Sequence, residues 1–266
     1  MFIISSFIGI TAVTHYTIAS RLSQYFMSFM ISSFGLLSPI FSQLKGSKDE
    51  KIIQESFVFA TKLSVCIATF IASLLALYGS SFISMWMGAI YTDAYIPLVI
   101  LLTGMLCEVS QFPSVSYLQG VAKHQYLAYI SIVEGILNLV IGIILVRFYG
   151  LSGVAMGVSI PIVIIKVCIQ PSYVCNKIGI SLQYYYVRII IIGFFFSSIS
   201  ILIPWIIIFK NIICDSYVKL AIYIFLQIII ALPIVYFMVM NKIEKKIIYN
   251  ISLKFLKKSY NCIFFR

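Results

Sequence analysis

Acidic residues are scarce in this chain: eight Asp and Glu stand in 266 residues, against 19 Lys and Arg. Charged residues of both signs reach only 10%, while 62% are hydrophobic and the mean hydropathy is +1.07. A soluble domain carries about 25% charge and about 45–50% apolar residues. Too little polar surface is present to clothe a water-soluble core, so lipid must serve as solvent. Nucleic-acid binding is not expected despite the net charge of +11. In a membrane chain, Lys and Arg gather on the cytoplasmic side instead.

Other absences narrow the field. There are two histidines, His15 and His124, each isolated at a helix end or loop. The six cysteines form no metal-spaced cluster with His or with one another. In apolar runs a cysteine behaves as a small hydrophobe. No P-loop, Gly-x-Ser-x-Gly or His-Glu-x-x-His occurs. No metal and no cofactor are expected, and no enzyme. A membrane glycosyltransferase or ligase would carry catalytic residues on large outer loops, but the longest predicted outer loop, 79–94, holds one acid, Asp93. The N-terminal "MFIISSFIGITAV" lacks a basic region before its apolar run and a cleavage site after it, so no signal peptide is read there.

What is present is a series of long apolar runs. A membrane helix needs about 20 apolar residues to cross about 30 Å. Seven full spans are read at roughly 17–43, 56–78, 95–119, 126–148, 151–174, 186–209 and 217–240, after a short start at 2–13. The fold class is all-α, a polytopic transmembrane bundle over 1–241, followed by a basic tail over 242–266. The short start reads as the end of a helix that begins upstream, so the chain is expected to be the C-terminal portion of a longer transporter.

The basic residues assign the sides. One side collects Lys45, Lys48, Lys51, Lys123, Lys177, Arg188 and the tail, thirteen cations in all. The other has four, Arg21, Arg147, Lys210 and Lys219. This asymmetry places the C-terminus in the cytoplasm. Trp86, Tyr91 and Tyr95 then fall at the outer headgroup zone. The tail alternates bulky apolar residues with Lys, and is expected either to lie on anionic lipid as an interfacial helix or to be solvated.

Several stretches, in order, resemble one family. "HYTIASRLSQYFMSFMISSFGLLSPIFSQLKGSKDEKI" has a Tyr-x-x-Ala-x-Arg-Leu entry into a long helix, then a Pro and a short charged loop. "MWMGAIYTDAY" resembles a Trp-x-Gly stretch. "YLQGVAKHQYLAYISIVEGILNLVIGIILVRFYGLSGVAMG" has a Gly and basic turn, a helix bearing Asn138, and Tyr-Gly-Leu-x-Gly-x-Ala before the next helix. With the basic finish, the pattern over about 10–190 is similar to the polysaccharide exporters, or O-antigen (Wzx-type) flippases, of the multidrug/oligosaccharidyl-lipid/polysaccharide exporter superfamily. The resemblance implies one lobe and more of a MATE- or MurJ-like transporter in the bacterial inner membrane. It implies a lipid-linked oligosaccharide on a polyprenyl pyrophosphate carrier as substrate, proton or sodium coupling, and contact with membrane lipids and other polysaccharide assembly proteins. The alternatives are a small-molecule or drug antiporter of the same superfamily, and a truncated, non-transporting protein of a polysaccharide locus.

Charges inside a membrane are costly, about 2.5–3.5 kcal/mol at a helix centre on insertion scales. Glu108, Glu134 and Lys166 lie near predicted midplanes, at a depth of about 15 Å or more. Lys62 lies nearer the inner edge and can snorkel. Lys166 and Arg21 are candidate cations for a pyrophosphate, and Gln111, Asn138, Gln24 and the Tyr and Ser residues are candidate sugar contacts. Glu108 and Glu134 could take up a coupling proton. The competing reading is structural, with Lys166 neutralising Glu134 or Glu108. For Glu108 the partner read is Lys166. Pro113 is expected to bend the helix beside Glu108. Gly153 and Gly157, four apart, share a face and are read as helix packing.

Overall fold

The computed structural model describes residues 2–35, 37–47, 50–191 and 216–234, with Phe195, Ser198 and Lys245 singly. Among the described residues there are helices and no strands, arranged as a polytopic membrane bundle. The helices are α1 (Phe2–Phe7), α2 (Ile10–Phe34), α3 (Leu37–Ser47), α4 (Glu50–Met87), α5 (Tyr95–Ser110), α6 (Phe112–Gly120), α7 (His124–Ile164), α8 (Gln170–Ile178), α9 (Leu182–Tyr184) and α10 (Tyr217–Ile234). A 3₁₀ turn, Ala89–Ala94, joins α4 to α5, and π-helical stretches occupy Ile165–Ile169 and Tyr185–Ile191. The basic tail beyond Ile234 lies outside the described residues, apart from Lys245, as does most of the span read at 186–209.

Among the described residues, four stretches are long and apolar enough to cross a membrane: Ile10–Lys45, Glu50–Met87, Ala89–Gly120 and His124–Ile178. The last doubles back. Gly150 takes φ 56 and ψ −130 inside α7, a conformation that glycine reaches without penalty. On either side the two arms of α7 lie against each other. A Cβ on Gly157 would overlap the Gly142 backbone, and one on Gly153 would overlap the Leu145 carbonyl. The Gly153–Gly157 face therefore lets two backbones meet closely in a membrane hairpin.

The ends of the passes segregate. At one end the Arg147 guanidinium lies 5.5 Å from the Phe7 ring centroid, the His15 and Tyr91 rings lie 5.2 Å apart, and Tyr217 Oη donates to the Met85 carbonyl at 3.0 Å. At the other, Lys45 Nζ donates to the Val121 carbonyl at 3.4 Å, and Gln54 Nε2 to the Ile178 carbonyl at 2.9 Å. We call these the aromatic end and the lysine-rich end.

Element boundaries differ from the sequence reading in three places. The first break falls at Gly9, with φ 119, so that α2 runs unbroken through His15 and Tyr16. The span read at 17–43 splits near Gly35. The stretch read as an outer loop from 79 is helical to Met87. Gly79 does not end α4, because the glycine packs there against Leu98 and Tyr95; the stop is Gly88 at φ 106.

Two apolar clusters hold the bundle. One joins α2, α4, α5 and the second arm of α7 through Phe26, Met30, Ala68, Ala72, Leu98, Leu101 and Ala155. The other, toward the lysine-rich end, packs Phe41, Phe57, Leu118, Val174 and Tyr185. The first arm of α7 leaves Ile132, Ile136, Leu139, Val140 and Phe148 exposed, an apolar face suited to acyl chains.

Candidate functional site

Two parallel passes and the first arm of α7 bring together buried Lys166 and the half-buried Glu108 and Glu134. Gly104 on α5 lets the second arm approach: a Cβ there would lie 2.9 Å from Ser159 Cα. Ser159 Oγ donates to the Ile100 carbonyl at 2.8 Å. One to two turns further along both helices come Glu108 and Lys166. Lys166 Nζ lies 3.3 Å from Glu134 Oε2 on the facing arm. The sequence leaves Glu134 and Glu108 open as partners of Lys166 and reads Lys166 as the partner of Glu108; the hairpin register set by Gly142 and Gly157 places Glu134, not Glu108, against Lys166. Glu108 lies within electrostatic reach of both. The three charges thus form one cluster, two carboxylates to one ammonium, with Lys166 buried on a π-helical turn. π-Turns inside α-helices recur at functional sites.

Below Glu108 the helix breaks. Gln111, at φ −97 and ψ 2, separates α5 from α6, and Pro113 sits in the first turn of α6, where its missing N–H costs nothing. Gln111 is 2% exposed. Its Nε2 donates to Tyr185 Oη at 2.7 Å, and Ser114 Oγ donates to its Oε1 at 2.9 Å. Both ends of the amide are therefore engaged inside the bundle. Asn138 lies one turn along the first arm from Glu134, with its Oδ1 shut off from solvent and without a hydrogen-bond partner.

Arg21 and Gln24 stand elsewhere, on the exposed face of α2. Arg21 Nη1 donates to Gln24 Oε1, and Gln24 Nε2 to Ser20 Oγ, each at 3.5 Å. They belong to a longer pattern that sequence reasoning did not single out. Thr14, Thr17, Arg21, Gln24, Ser28 and Ser32 recur every three or four residues. At 3.6 residues per turn they fall within an arc of about 80°. That arc lies opposite the face that buries Ala19, Leu22, Phe26 and Met30. At the aromatic end, Thr14 and Thr17 line an open cavity of about 620 Å³ with Ser5, Ile10, Val13, Ile18 and Met87.

Gln170 is not found by the sequence reading, and Tyr126 and Tyr185 are not singled out among the tyrosines. For Gln170 a signal existed: a glutamine next to Pro171 within an apolar run, "VCIQPSY". Among the described residues, no group of three or more His, Cys, Asp or Glu could hold a metal ion.

The family model for MatE matches residues 1–144 of the 266, from α1 through most of the first arm of α7. It includes Arg21, Gln24, Glu108, Gln111, Pro113, Glu134 and Asn138, and leaves Gly153, Gly157 and Lys166 outside. No curated protein and no solved structure matches the chain. With more than half of its length matched, the chain belongs to the MatE family, membrane transporters of the multidrug/oligosaccharidyl-lipid/polysaccharide exporter superfamily.

Proposed function

We propose that this transporter flips lipid-linked oligosaccharide across a bacterial inner membrane, with its C-terminus in the cytoplasm. The observation that carries the reading is the polar face of α2. From Thr14 to Ser32 it extends about 27 Å at 1.5 Å per residue, close to the full hydrocarbon thickness of about 30 Å. A row of hydroxyls, an amide and a guanidinium is poorly suited to acyl chains, since polar residues in membrane segments face a bundle interior or a water-filled cavity. α2 carries one cation and no acid. A guanidinium suits the forked oxygens of a pyrophosphate, and hydroxyls and amides suit sugars. The chain would supply one wall of a hydrated path, with other polysaccharide assembly proteins delivering or removing the substrate.

A second reading, a small-molecule antiporter, draws on Glu108 and Glu134, because half-buried carboxylates favour cationic cargo. Disruption of the gene in its source bacterium separates the two. The flippase reading expects loss of surface polysaccharide and accumulation of the lipid-linked precursor, restored by the native gene and not by Arg21→Glu at equal protein level. Intact polysaccharide with raised sensitivity to cationic dyes would support the antiporter instead.

A further inference from the structure

The open cavity at the aromatic end, about 620 Å³, falls within the range of about 300–1,000 Å³ usual for ligand pockets. Its shape has a local cause. Gly9, at φ 119 and ψ 168, turns the chain between α1 and α2, a conformation that glycine adopts without strain. Phe7 then ties α1 to the first arm of α7, because the Arg147 guanidinium lies 5.5 Å from its ring centroid. The space left between α1 and α2 has apolar walls from Ile10, Val13, Ile18 and Met87. Thr17 also lines it, but Thr17 Oγ1 donates to the Val13 carbonyl at 2.7 Å, so that hydroxyl is satisfied within its own helix. An apolar cavity stays dry and accepts apolar guests. In a membrane the guest at hand is a hydrocarbon chain.

The residues that follow along α2 decide which molecule the chain belongs to. Arg21 stands one turn beyond Thr17, about 6 Å along the helix. Arg21 and Gln24 are exposed, and exposed Ser28 and Ser32 continue the same face to about 16 Å beyond Arg21. Ser32 Oγ donates to the Ser28 carbonyl at 2.9 Å and keeps its lone pairs to accept from a sugar hydroxyl. The order along one helix face is therefore apolar cavity, cation, amide, hydroxyls. A polyprenyl-linked oligosaccharide has the same order: hydrocarbon, pyrophosphate, sugars. A phospholipid with a small headgroup matches only the first two parts and leaves Ser28 and Ser32 without a partner.

We propose that the cavity between α1 and α2 seats the part of the substrate's polyprenyl chain next to its pyrophosphate. Arg21 and Gln24 hold the pyrophosphate, and the sugars run along Ser28 and Ser32 toward the lysine-rich end. This placement rests on the flippase reading and deepens it, by naming where the carrier chain sits and which way the bound substrate lies. The chain points to the aromatic end and the sugars to the lysine-rich end.

Photolabelling of the purified chain in phosphatidylcholine nanodiscs tests it. The probe is a long-chain polyprenyl diphosphate with a diazirine on the isoprene unit nearest the phosphates, and mass spectrometry maps the labelled residues. The label should concentrate at Ile10, Val13 and Met87. Arg21→Gln should cut that labelling about tenfold, as loss of a charged hydrogen bond does. Thr14→Trp, which puts a ring into the cavity from an exposed position, should abolish it. Both variants should keep the background label on the exposed first arm of α7, which reports an intact bundle. Phosphatidylglycerol with the same diazirine should label that arm without concentrating at the cavity. A native label map with nothing at the cavity would overturn the proposal, and needs no variant to do so. So would undiminished labelling in Arg21→Gln, or cavity labelling by phosphatidylglycerol as strong as by the probe, the mark of a plain lipid pocket. The flippase reading is judged by the polysaccharide phenotype, so a label elsewhere would sink this placement and leave that reading standing.

Discussion

Lys166 Nζ lies 3.3 Å from Glu134 Oε2, which ties the π-helical turn that follows the second arm of α7 to the first arm. The two side chains are only 10% and 16% exposed. Removing one partner of such a pair leaves an uncompensated charge, at a cost of about 3–5 kcal/mol, whereas replacing both by neutral groups is often tolerated. Lys166→Met and Glu134→Gln should each lower the unfolding temperature of the detergent-purified protein and its level in the membrane. The double variant should recover most of the loss. Additive losses in the double variant would mean that the two groups do not act as a pair.

The hairpin register makes a second prediction, on glycine. Gly157→Ala forces a methyl group into the Gly142 backbone, where no side chain can yield. Overpacking of this kind costs about 1–3 kcal/mol. Gly135, on the first arm, has nothing within 4 Å of where a Cβ would stand. Gly135→Ala should therefore be neutral, or stabilising by about 0.5–1 kcal/mol through helix propensity. Thermal unfolding of the two variants side by side checks the contrast. Equal effects would contradict the close approach at Gly157.

Some of this was legible in the sequence and some was not. The apolar runs and the alternation of lysines are local patterns, and the segregation of Lys45, Gln54 and Val121 from His15, Tyr91 and Arg147 agrees with them. That Glu108, Glu134 and Lys166 fall near the middle of their apolar runs is a count along the sequence. Which acid meets Lys166 did not, because that depends on a three-dimensional register set by the Gly142–Gly157 contact. Helix ends were misjudged where glycine acted in two ways. Gly79 packs inside α4, while Gly9 and Gly88 break the chain at positive φ, and nothing in their neighbours distinguishes the cases. The polar face of α2 was available as spacing from Thr14 to Ser32, but only the burial of the opposite face gave it meaning.

Tyr185 illustrates the limit and supplies the last prediction. It stands in the run "QYYYVR" beside Tyr184 and Tyr186, and nothing local separates the three. In the structure Tyr185 is fully buried, stacks on Phe57 with centroids 6.2 Å apart, and accepts the Gln111 amide proton at 2.7 Å. Tyr184 is exposed. Tyr185→Phe keeps the ring and removes the oxygen, so Gln111 Nε2 loses its partner while its Oε1 still accepts from Ser114. An orphaned buried donor costs about 1–3 kcal/mol. Tyr184→Phe, which touches no buried donor, should fall within about 0.5 kcal/mol of the native chain, as surface substitutions do. Pairing Tyr185→Phe with Gln111→Leu should return part of the loss, because the amide that lacked a partner is then gone. Unfolding of the three variants in detergent measures this, and a double variant no better than Tyr185→Phe alone would show that the hydroxyl stabilises the break at Gln111 by some other contact.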